Sequence, residues 1–556
     1  MPCITIPYMK RNHSLLLLLL PLLFVVTHGL RLSALPIFND EAIYIRWALL
    51  IHEDIGNLFV SAQDGKSPLF MWLNALTVDR FDDIVLSGRI LSVVAGGLTA
   101  GLMFYIGRRI YSPVCGYLSA LVYLSLPFFT LHNRMALVDT LGTFFAVALV
   151  ALLAGATTWN RFSPVRFLGL GLVMGMGFLT KTPFIILFLL LPVSALLAGK
   201  IREKSVWLNM MLAGLIALAC MAPYLLHEPS QQVAGTGKML HNADVLKPLI
   251  ALLKLDSPVL AENMKQFAEY LWVYITPPIL FLLLIGVLRA VGRRDRFGIF
   301  CLVWWLVPCA AFLVLGREVY SRYFLFSIPP LVFLAMEPLH TFYADLQIRG
   351  RKENQTQAIV AGLVLLALIP AWKFDYQWIV APESTPMAKK DRWQYLESQY
   401  SGYGIRSAIK QMNAGRQGRP LWLFVSRTWG MPGDALYLYM KDLPDTHVVE
   451  AWWAHTMPIF PDNVQGMNIN RSKYQLKVQR TLLWEELKGA DVYFAARNEF
   501  FPPEIVLQRN PNLVLAGSYH PLDSQPSFNL FKKNDAIKVF MTPRDPKVVA
   551  PTVSAP

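Results

Sequence analysis

Long apolar runs alternate with short basic loops over the first two thirds of this 556-residue chain, and this alternation restricts the fold more than any other feature. A helix needs about 20 predominantly apolar residues to cross the roughly 30 Å hydrocarbon layer of a bilayer. About eleven runs approach this length, at approximately 13–30, 88–106, 115–131, 137–156, 167–179, 183–198, 207–226, 267–288, 297–315, 323–336 and 358–372. The pattern predicts a polytopic α-helical membrane protein with about eleven transmembrane helices.

Composition agrees with a membrane protein and argues against nucleic-acid binding. Hydrophobic residues make up 54% of the chain and charged residues only 16%, which is outside the usual range of soluble globular proteins. The net charge of +14 would suggest a nucleic-acid partner if the chain were soluble. Here the Lys and Arg residues lie in short loops between apolar runs, so membrane lipids are the expected surroundings and nucleic acid is not an expected partner.

The basic loops also predict the orientation of the chain. Those expected on the cytoplasmic side are 108–109, 161–166, 200–204, 289–296 and 349–352. Lys10 and Arg11 precede the first run and place the N-terminus in the cytoplasm. That run could be a signal peptide, but no small-x-small cleavage site follows it, so we predict a retained helix. The loops 31–87 and 227–266 and the C-terminal segment are then expected outside the cytoplasm.

The last third of the chain differs from the rest. From 373 to 541 the long apolar runs give way to short strand-like stretches, at 421–426, 491–495 and 513–518, and to helix-compatible stretches such as 481–488. This pattern predicts an extracytoplasmic soluble α/β domain after a membrane module covering 1–372. The tail 542–556 is rich in proline and is predicted to be disordered.

The first outer loop has an acidic pair at the start of a helix-compatible stretch. Asp40, Glu41 and Tyr44 lead into apolar residues at helical spacing, which predicts a helix lying in the membrane interface. A carboxylate at this position can cap the helix or project into a cleft, and both interpretations stay open. Lys66 precedes a second short apolar helix, where it could serve a site or extend its ammonium towards lipid phosphates.

Two further charged pairs begin or interrupt apolar runs. Arg134 and Asp139 stand at the outer end of one run, and Lys181, before a proline, breaks another. A structural salt bridge between Asp139 and Lys181 would explain both charges, while charges at membrane depth also mark functional sites.

A later outer loop combines guanidinium and phenol groups. Arg317, Arg322 and Tyr323 precede a late helix, and the planar fork of arginine suits phosphate recognition. Anchoring to lipid headgroups is the alternative.

The order of these motifs resembles the protein O-mannosyltransferase and aminoarabinose transferase group of GT-C membrane glycosyltransferases, and in particular its bacterial relatives. The resemblance rests on Asp40-Glu41 with Tyr44, Lys66-Ser67-Pro68-Leu69 with Trp72, Arg134 with Asp139, Gly177-Phe178-Leu179-Thr180-Lys181, and Arg322-Tyr323 with Pro329. Five motifs in this order are typical of the superfamily but do not identify a substrate.

The resemblance implies inverting sugar transfer from a polyprenyl-phosphate donor to a hydroxyl acceptor on a lipid, glycan or protein, at the outer face of a bacterial inner membrane. Asp40 would be the general base, supported by Glu41. Lys66 and Arg322 with Tyr323, and also Arg134, would bind the donor phosphate. Asp139, through Lys181, would set the local geometry. Tyr44 and Arg317 would support the site.

A bound zinc ion is not expected from these residues, while a divalent cation stays possible. In aminoarabinose transferases an acidic residue precedes the Lys-x-Pro lysine and contributes to a metal site, whereas Gly65 occupies that position here. Asp79, Asp82 and Asp83 could hold a divalent cation, with a solvated acidic turn as the alternative.

Two other functions are compatible with outward-facing charges. A transporter or flippase for an amphipathic substrate would also place charges at a broken helix, but the chain has no evident internal repeat. A non-catalytic scaffold that binds a lipid-linked sugar would use the same groove.

Overall fold

The computed structural model describes residues 20–154, 163–227, 258–416, 418–426, 429–469, 481–520 and 527–534. Two compact units divide the chain, one ending at Glu397 and the other beginning at Ser398. The predicted disordered tail 542–556 and the first part of the apolar run 13–30 lie outside the described residues.

The first unit is helical throughout its described part. Its longer helices are Leu20–Gly29, Asn39–Glu53, Val85–Ile110, Pro113–Ser125, Val138–Leu153, Pro164–Thr180, Thr182–Leu197, Lys204–Leu225, Pro258–Ile275, Pro277–Gly292, Arg296–Leu315, Pro329–Ile348 and Glu353–Val380. Shorter helical segments are Ile55–Asn57, Val60–Asp64, Leu69–Ala75, Pro127–Asn133, Ser321–Ser327, Pro382–Ser384, Lys389–Arg392 and Trp393–Glu397.

Many of these helices suit a membrane. Within the described ranges, four are long and apolar enough to cross a bilayer, and the number rises to seven if each of three bent helix pairs is one span. Four shorter apolar helices accompany them. The helices coincide with the predicted apolar runs, so the polytopic helical architecture is confirmed, whereas the number of eleven spans stays a prediction.

Three predicted spans, 115–131, 267–288 and 323–336, are not continuous helices, because each contains a bend of more than 40° between two helices. The second of them has the sharpest bend. The run 267–288 contains the end of the helix Pro258–Ile275 and most of the helix Pro277–Gly292, which meet at an angle of 109°. Pro277 and Pro278 lack the N–H groups needed to continue the first helix, and Thr276 before them has a φ of 67°. The prediction of a single helix here is therefore wrong.

The second unit is an α/β domain, as the sequence predicts. Its strands are β1 (Leu421–Ser426), β2 (Thr446–Ala451), β3 (Gly466–Asn468), β4 (Thr481–Leu483), β5 (Asp491–Arg497), β6 (Leu513–Tyr519) and β7 (Phe528–Lys533). Its helices are Ile405–Gly415, Gly433–Met440 and Pro503–Arg509, with a short turn at Trp484–Leu487. The main sheet has the order β2-β1-β5-β7-β6, in which β1 is parallel to β2 and β5 and the β7 pairings are antiparallel.

Two details of the C-terminal prediction differ from the structure. The stretch 481–488 is not one helix, because Thr481–Leu483 pairs with Gly466–Asn468 and only a short 3-10 turn follows. The last helix of the membrane module continues to Val380, beyond the predicted end at 372, and the first unit extends to Glu397. Residues 373–397 therefore group with the membrane module.

Close helix packing at Gly286 provides a test of the fold. A Cβ atom at Gly286 would lie 1.9 Å from the backbone oxygen of Leu334 in the facing helix, so Gly286→Ala must push two helices apart. We expect a loss of about 1–3 kcal/mol in the free energy of unfolding, which outweighs the helix propensity gained from alanine. Thermal unfolding in detergent would measure it.

Gly292→Ala in the same helix is the matched control, since nothing lies within 4 Å of a Cβ atom there. We expect it to leave the melting temperature unchanged or higher. Equal melting temperatures for the two variants would contradict this packing.

Candidate active site

A cavity of about 260 Å³ in the first unit collects most of the predicted site residues. Its lining includes Asp40, Tyr44, Lys66, Asp139, Lys181, Arg322 and Tyr323. These residues come from five separated parts of the chain, and only the folded helices bring them together. The remaining three predicted residues, Glu41, Arg134 and Arg317, are not among the lining residues.

The helix Asn39–Glu53 presents Asp40 and Tyr44 to the cavity. The two residues are four positions apart, so their side chains share one face of the helix. Asp40 Oδ2 lies 3.0 Å from Nη2 of Arg322, and the two side chains are 20% and 8% exposed. The Coulomb attraction across such a short contact is screened less at this low exposure than on an open surface.

Charged neighbours control the protonation of Asp40. Burial alone would raise the pKa of Asp40, but the Arg322 guanidinium and the Lys66 ammonium outweigh it and hold this pKa below its usual value. Tyr44 and Asp40 in turn raise the pKa of Lys66. At neutral pH the site therefore contains a carboxylate and cations, an arrangement able to accept a proton and to bind an anion.

Lys181 joins a second carboxylate to the same cavity. Its Nζ donates to Asp139 Oδ1 at 2.6 Å and lies 4.8 Å from the ring centroid of Tyr323. The predicted salt bridge between Asp139 and Lys181 is thus present. The lysine ends the helix Pro164–Thr180, and Gly177 one turn earlier lets the Phe184 ring approach, since a Cβ there would lie 2.3 Å from that ring.

Aromatic rings surround the Arg322 guanidinium. Its Cζ lies 5.2 Å from the ring centroid of Phe38, 5.6 Å from that of Tyr320 and 5.7 Å from that of Tyr323. These rings restrict the orientation of the guanidinium and exclude water from it. The phosphate interpretation of Arg322 fits this enclosed position better than anchoring at an open lipid surface.

The charged side chains that line the cavity favour the binding of an anion. Three cations, Lys66, Lys181 and Arg322, face two carboxylates, Asp40 and Asp139. Glu318 also lines the cavity, but Lys390 Nζ lies 2.9 Å from its carboxylate and offsets its charge. A ligand with one negative charge would complete the electrostatic balance.

Glu41 is a buried structural partner outside the cavity. It is fully buried and forms an ion pair with Arg89, whose Nε and Nη2 donate at 2.8 Å and 2.6 Å. It also accepts hydrogen bonds from the backbone N–H groups of Phe38 and Ala136. Glu41 therefore supports Asp40 by holding the backbone next to it. Its buried position outside the cavity is not consistent with a direct part in catalysis.

Arg134 and Arg317 lie elsewhere. Arg134 donates to the carbonyl oxygens of Thr27 and Leu30 at 3.0 Å and 2.7 Å, so it completes the end of the first helix and is not placed to bind a donor phosphate. Arg317 is exposed in the loop before Ser321–Ser327. Neither position was distinguishable from a site position in the sequence.

No group of three metal-ligating side chains occurs among the described residues. In the acidic turn, the Asp79 carboxylate forms ion-pair contacts with His52 Nε2 at 3.4 Å and with Arg80 Nε at 3.6 Å. The acidic turn therefore offers no described cluster for a divalent cation.

The chain is similar to known glycosyltransferases in sequence and in fold. Residues 65–227 match the family described as dolichyl-phosphate-mannose-protein mannosyltransferase. The undecaprenyl phosphate-alpha-4-amino-4-deoxy-L-arabinose arabinosyl transferase 1 of Pseudomonas fluorescens is 27% identical over 383 residues, which cover 65% of this chain and 66% of that protein.

Solved structures agree with the sequence matches. The crystal structure of ArnT from Cupriavidus metallidurans in the apo state has a TM-score of 0.55 at 13% identity and covers 93% of this chain and 97% of that one. Its complex with undecaprenyl phosphate has a TM-score of 0.53 at 13% identity, covering 95% and 99%.

The chain resembles the aminoarabinose transferase group of GT-C membrane glycosyltransferases. The resemblance seen in the five motifs is thereby confirmed, as is the polytopic fold with its C-terminal sheet domain. The curated relative is matched over slightly less than two thirds of its length, and the solved structures share the fold at low identity.

Sequence reasoning missed one buried layer of side chains beside this cavity. Tyr274 donates to Asp391 Oδ2 at 2.8 Å, and His132 Nε2 lies 3.0 Å from Ser321 Oγ, next to Arg322. Tyr395 packs edge-on against Phe38 at 5.0 Å between ring centroids. Asp391 and Tyr395 belong to the stretch that the sequence assigned to the soluble domain, so they were not considered as site residues.

Asp391 provides a pH-dependent test of this layer. Burial raises its pKa from 3.8 to about 6, although Ser321 and Tyr274 favour the charged form by hydrogen bonding. Because the folded state binds this proton more tightly than the unfolded state, the contribution of Asp391 to stability is complete below about pH 4 and is lost as the pH rises through 6.

Asp391→Asn removes this titration while keeping an oxygen for Tyr274. We expect the stability of the variant relative to the wild type to increase by about 2–3 kcal/mol between pH 4 and pH 7. Thermal unfolding of both proteins across this range would measure the difference. A constant difference would contradict the buried, titrating position of Asp391.

Proposed function

We propose that this protein is an inverting glycosyltransferase that moves a sugar from a polyprenyl-phosphate donor to a hydroxyl acceptor at the extracytoplasmic face of the membrane. One observation carries the proposal: Asp40, Lys66, Arg322 and Tyr323 line one cavity, with a carboxylate 3.0 Å from a guanidinium. Two similar proteins support it, because one is named as a transferase of 4-amino-4-deoxy-L-arabinose from undecaprenyl phosphate and the other was crystallised with undecaprenyl phosphate bound.

In the proposed reaction the acceptor oxygen attacks the anomeric carbon while its proton passes to Asp40 Oδ1 or Oδ2. The bond between that carbon and the phosphate oxygen breaks, and the electron pair leaves with the polyprenyl phosphate. Attack from the face opposite the phosphate inverts the anomeric configuration. Asp40 needs only to be ionised, and its lowered pKa keeps it so well below neutral pH.

The cations have a separate part in the same step. Charge develops on the departing phosphate, and a preorganised cation stabilises it more effectively in an enclosed cavity than in water. Lys66 and Arg322, with the Tyr323 hydroxyl, are the groups we assign to this phosphate. Asp139 holds Lys181 in place between the cavity and the Tyr323 ring.

Asp40→Asn is the direct test. The substitution keeps size and polarity but removes the proton acceptor, so we expect the rate of transfer to fall by about 10²–10⁴-fold. Donor binding should persist or tighten, since the variant removes a negative charge beside the phosphate-binding cations. Purified protein with a panel of hexosyl and pentosyl polyprenyl phosphates, and with lipid, glycan and protein acceptors, would provide the assay.

Asp79→Asn is the matched control, because Asp79 is a half-exposed acid that does not line the cavity. It should leave transfer unchanged. Full activity of Asp40→Asn with a transferable donor would refute Asp40 as the base, and the absence of transfer by the wild type with every donor would refute the function.

A further inference from the structure

The segment after the last long helix is anchored beside the proposed active site. Tyr274 holds it at two points, donating to the Asp391 carboxylate and accepting from the backbone N–H of Ala388 at 3.2 Å. This anchoring places the Tyr395 ring against Phe38, on which the Arg322 guanidinium also lies. Tyr395 is therefore a neighbour of the cation that we assign to the donor phosphate.

Tyr395 and Arg322 each have a buried polar atom without a hydrogen-bond partner among the described residues. Within the described part of the chain, Oη of Tyr395 and Nη1 of Arg322 are both buried and both unpaired. The residues are only 2% and 7% exposed. Buried polar groups are nearly always satisfied in folded proteins, so two such atoms on neighbouring residues need a reason.

The two unpaired atoms are chemically complementary. A guanidinium nitrogen can only donate, and a neutral phenol oxygen can accept. Burial raises the pKa of Tyr395 well above its usual value, so the phenol stays neutral and keeps its lone pairs available. The Arg322 guanidinium acts on the pKa of Tyr395 in the opposite direction, as expected for neighbouring groups, but burial outweighs it.

The ion pair between Arg322 and Asp40 explains why no hydrogen bond joins Nη1 of Arg322 to Oη of Tyr395 in the free protein. Nη2 is paired with Asp40, and the surrounding rings limit where the guanidinium can turn. A donor phosphate entering the cavity competes with Asp40 for the same cation. Once the guanidinium turns from the carboxylate to the phosphate, Nη1 has to find a new acceptor or remain unpaired.

We propose that Tyr395 is a positioning residue for Arg322: its hydroxyl accepts a hydrogen bond from Nη1 when the guanidinium leaves Asp40 for the donor phosphate. The inference rests on the proposed function and deepens it. Its consequence is that Asp40 becomes free to accept the acceptor proton only when the donor is present, which couples donor binding to activation of the base.

Tyr395→Phe tests this assignment because it removes only the hydroxyl and keeps the ring on Phe38. A hydrogen bond to a charged group that forms only in the complex should cost about tenfold in the Kd for undecaprenyl phosphate when it is lost. The melting temperature should stay unchanged or rise, because the removed hydroxyl has no partner among the described residues of the free protein.

Tyr123→Phe is the matched control. Its hydroxyl is fully buried but already accepts from Asn133 Nδ2 at 3.2 Å, and it does not line the cavity. We expect a lower melting temperature and an unchanged Kd for undecaprenyl phosphate. The two phenylalanine variants should thus show opposite patterns of stability and affinity.

A double-mutant cycle shows whether Tyr395 acts through Arg322. In an Arg322→Gln background, Tyr395→Phe should change the Kd for undecaprenyl phosphate by less than about twofold. A full tenfold effect in that background, or a wild-type Kd in Tyr395→Phe alone, would overturn the proposal. If the wild-type protein fails to bind undecaprenyl phosphate, the proposed function falls as well, so the two failures are distinguishable.

Discussion

The buried ion pair between Glu41 and Arg89 is the interaction on which the arrangement of the site depends. Both side chains are almost completely excluded from solvent, so removing one partner would leave a buried charge and cost about 3–5 kcal/mol. Glu41 also binds the N–H groups of Phe38 and Ala136, while Arg89 donates to the carbonyl oxygens of Leu32 and Leu35. One carboxylate thus ties the segment around Phe38, the helix Val85–Ile110 and the turn before Val138 together. These contacts also fix the position of Asp40, the residue before Glu41.

Charge balance explains why the cavity suits a displacement reaction. A carboxylate near two cations has a lowered pKa and is a weak base in the free protein. A donor phosphate would draw the same cations away, and the basicity of Asp40 would increase when it is needed. In this proposal the ion pair between Asp40 and Arg322 belongs to the free protein. When the donor binds, the guanidinium moves, and the Tyr395 hydroxyl accepts a hydrogen bond from it.

The repeated pattern of apolar runs and basic loops was sufficient to predict a helical membrane module and a separate α/β domain, because burial of apolar surface is encoded locally along each helix and strand. The charged motifs in the loops, together with their resemblance to GT-C glycosyltransferases, predicted Asp40, Lys66, Arg322 and Tyr323 as site residues and the pair Asp139–Lys181. These motifs did not distinguish Arg134 from the site residues, since a guanidinium that completes a helix end and one that binds phosphate look alike in a sequence. The break at Thr276 was also missed, although the two prolines after it were visible.

Tyr395 could not be recognised as a neighbour of the site from the sequence pattern. Residues 373–397 read as the beginning of the soluble domain, because their local composition is polar and lacks a long apolar run. Their place in the membrane module comes from contacts with Phe38 and Tyr274, more than one hundred residues away along the chain. Residue order alone determined the class of fold and the chemical types available in the loops between the apolar runs. Only tertiary packing decided which of those side chains share a cavity and which form buried structural pairs. The reason is that the packing of the helices sets the distances between segments that are remote in the sequence.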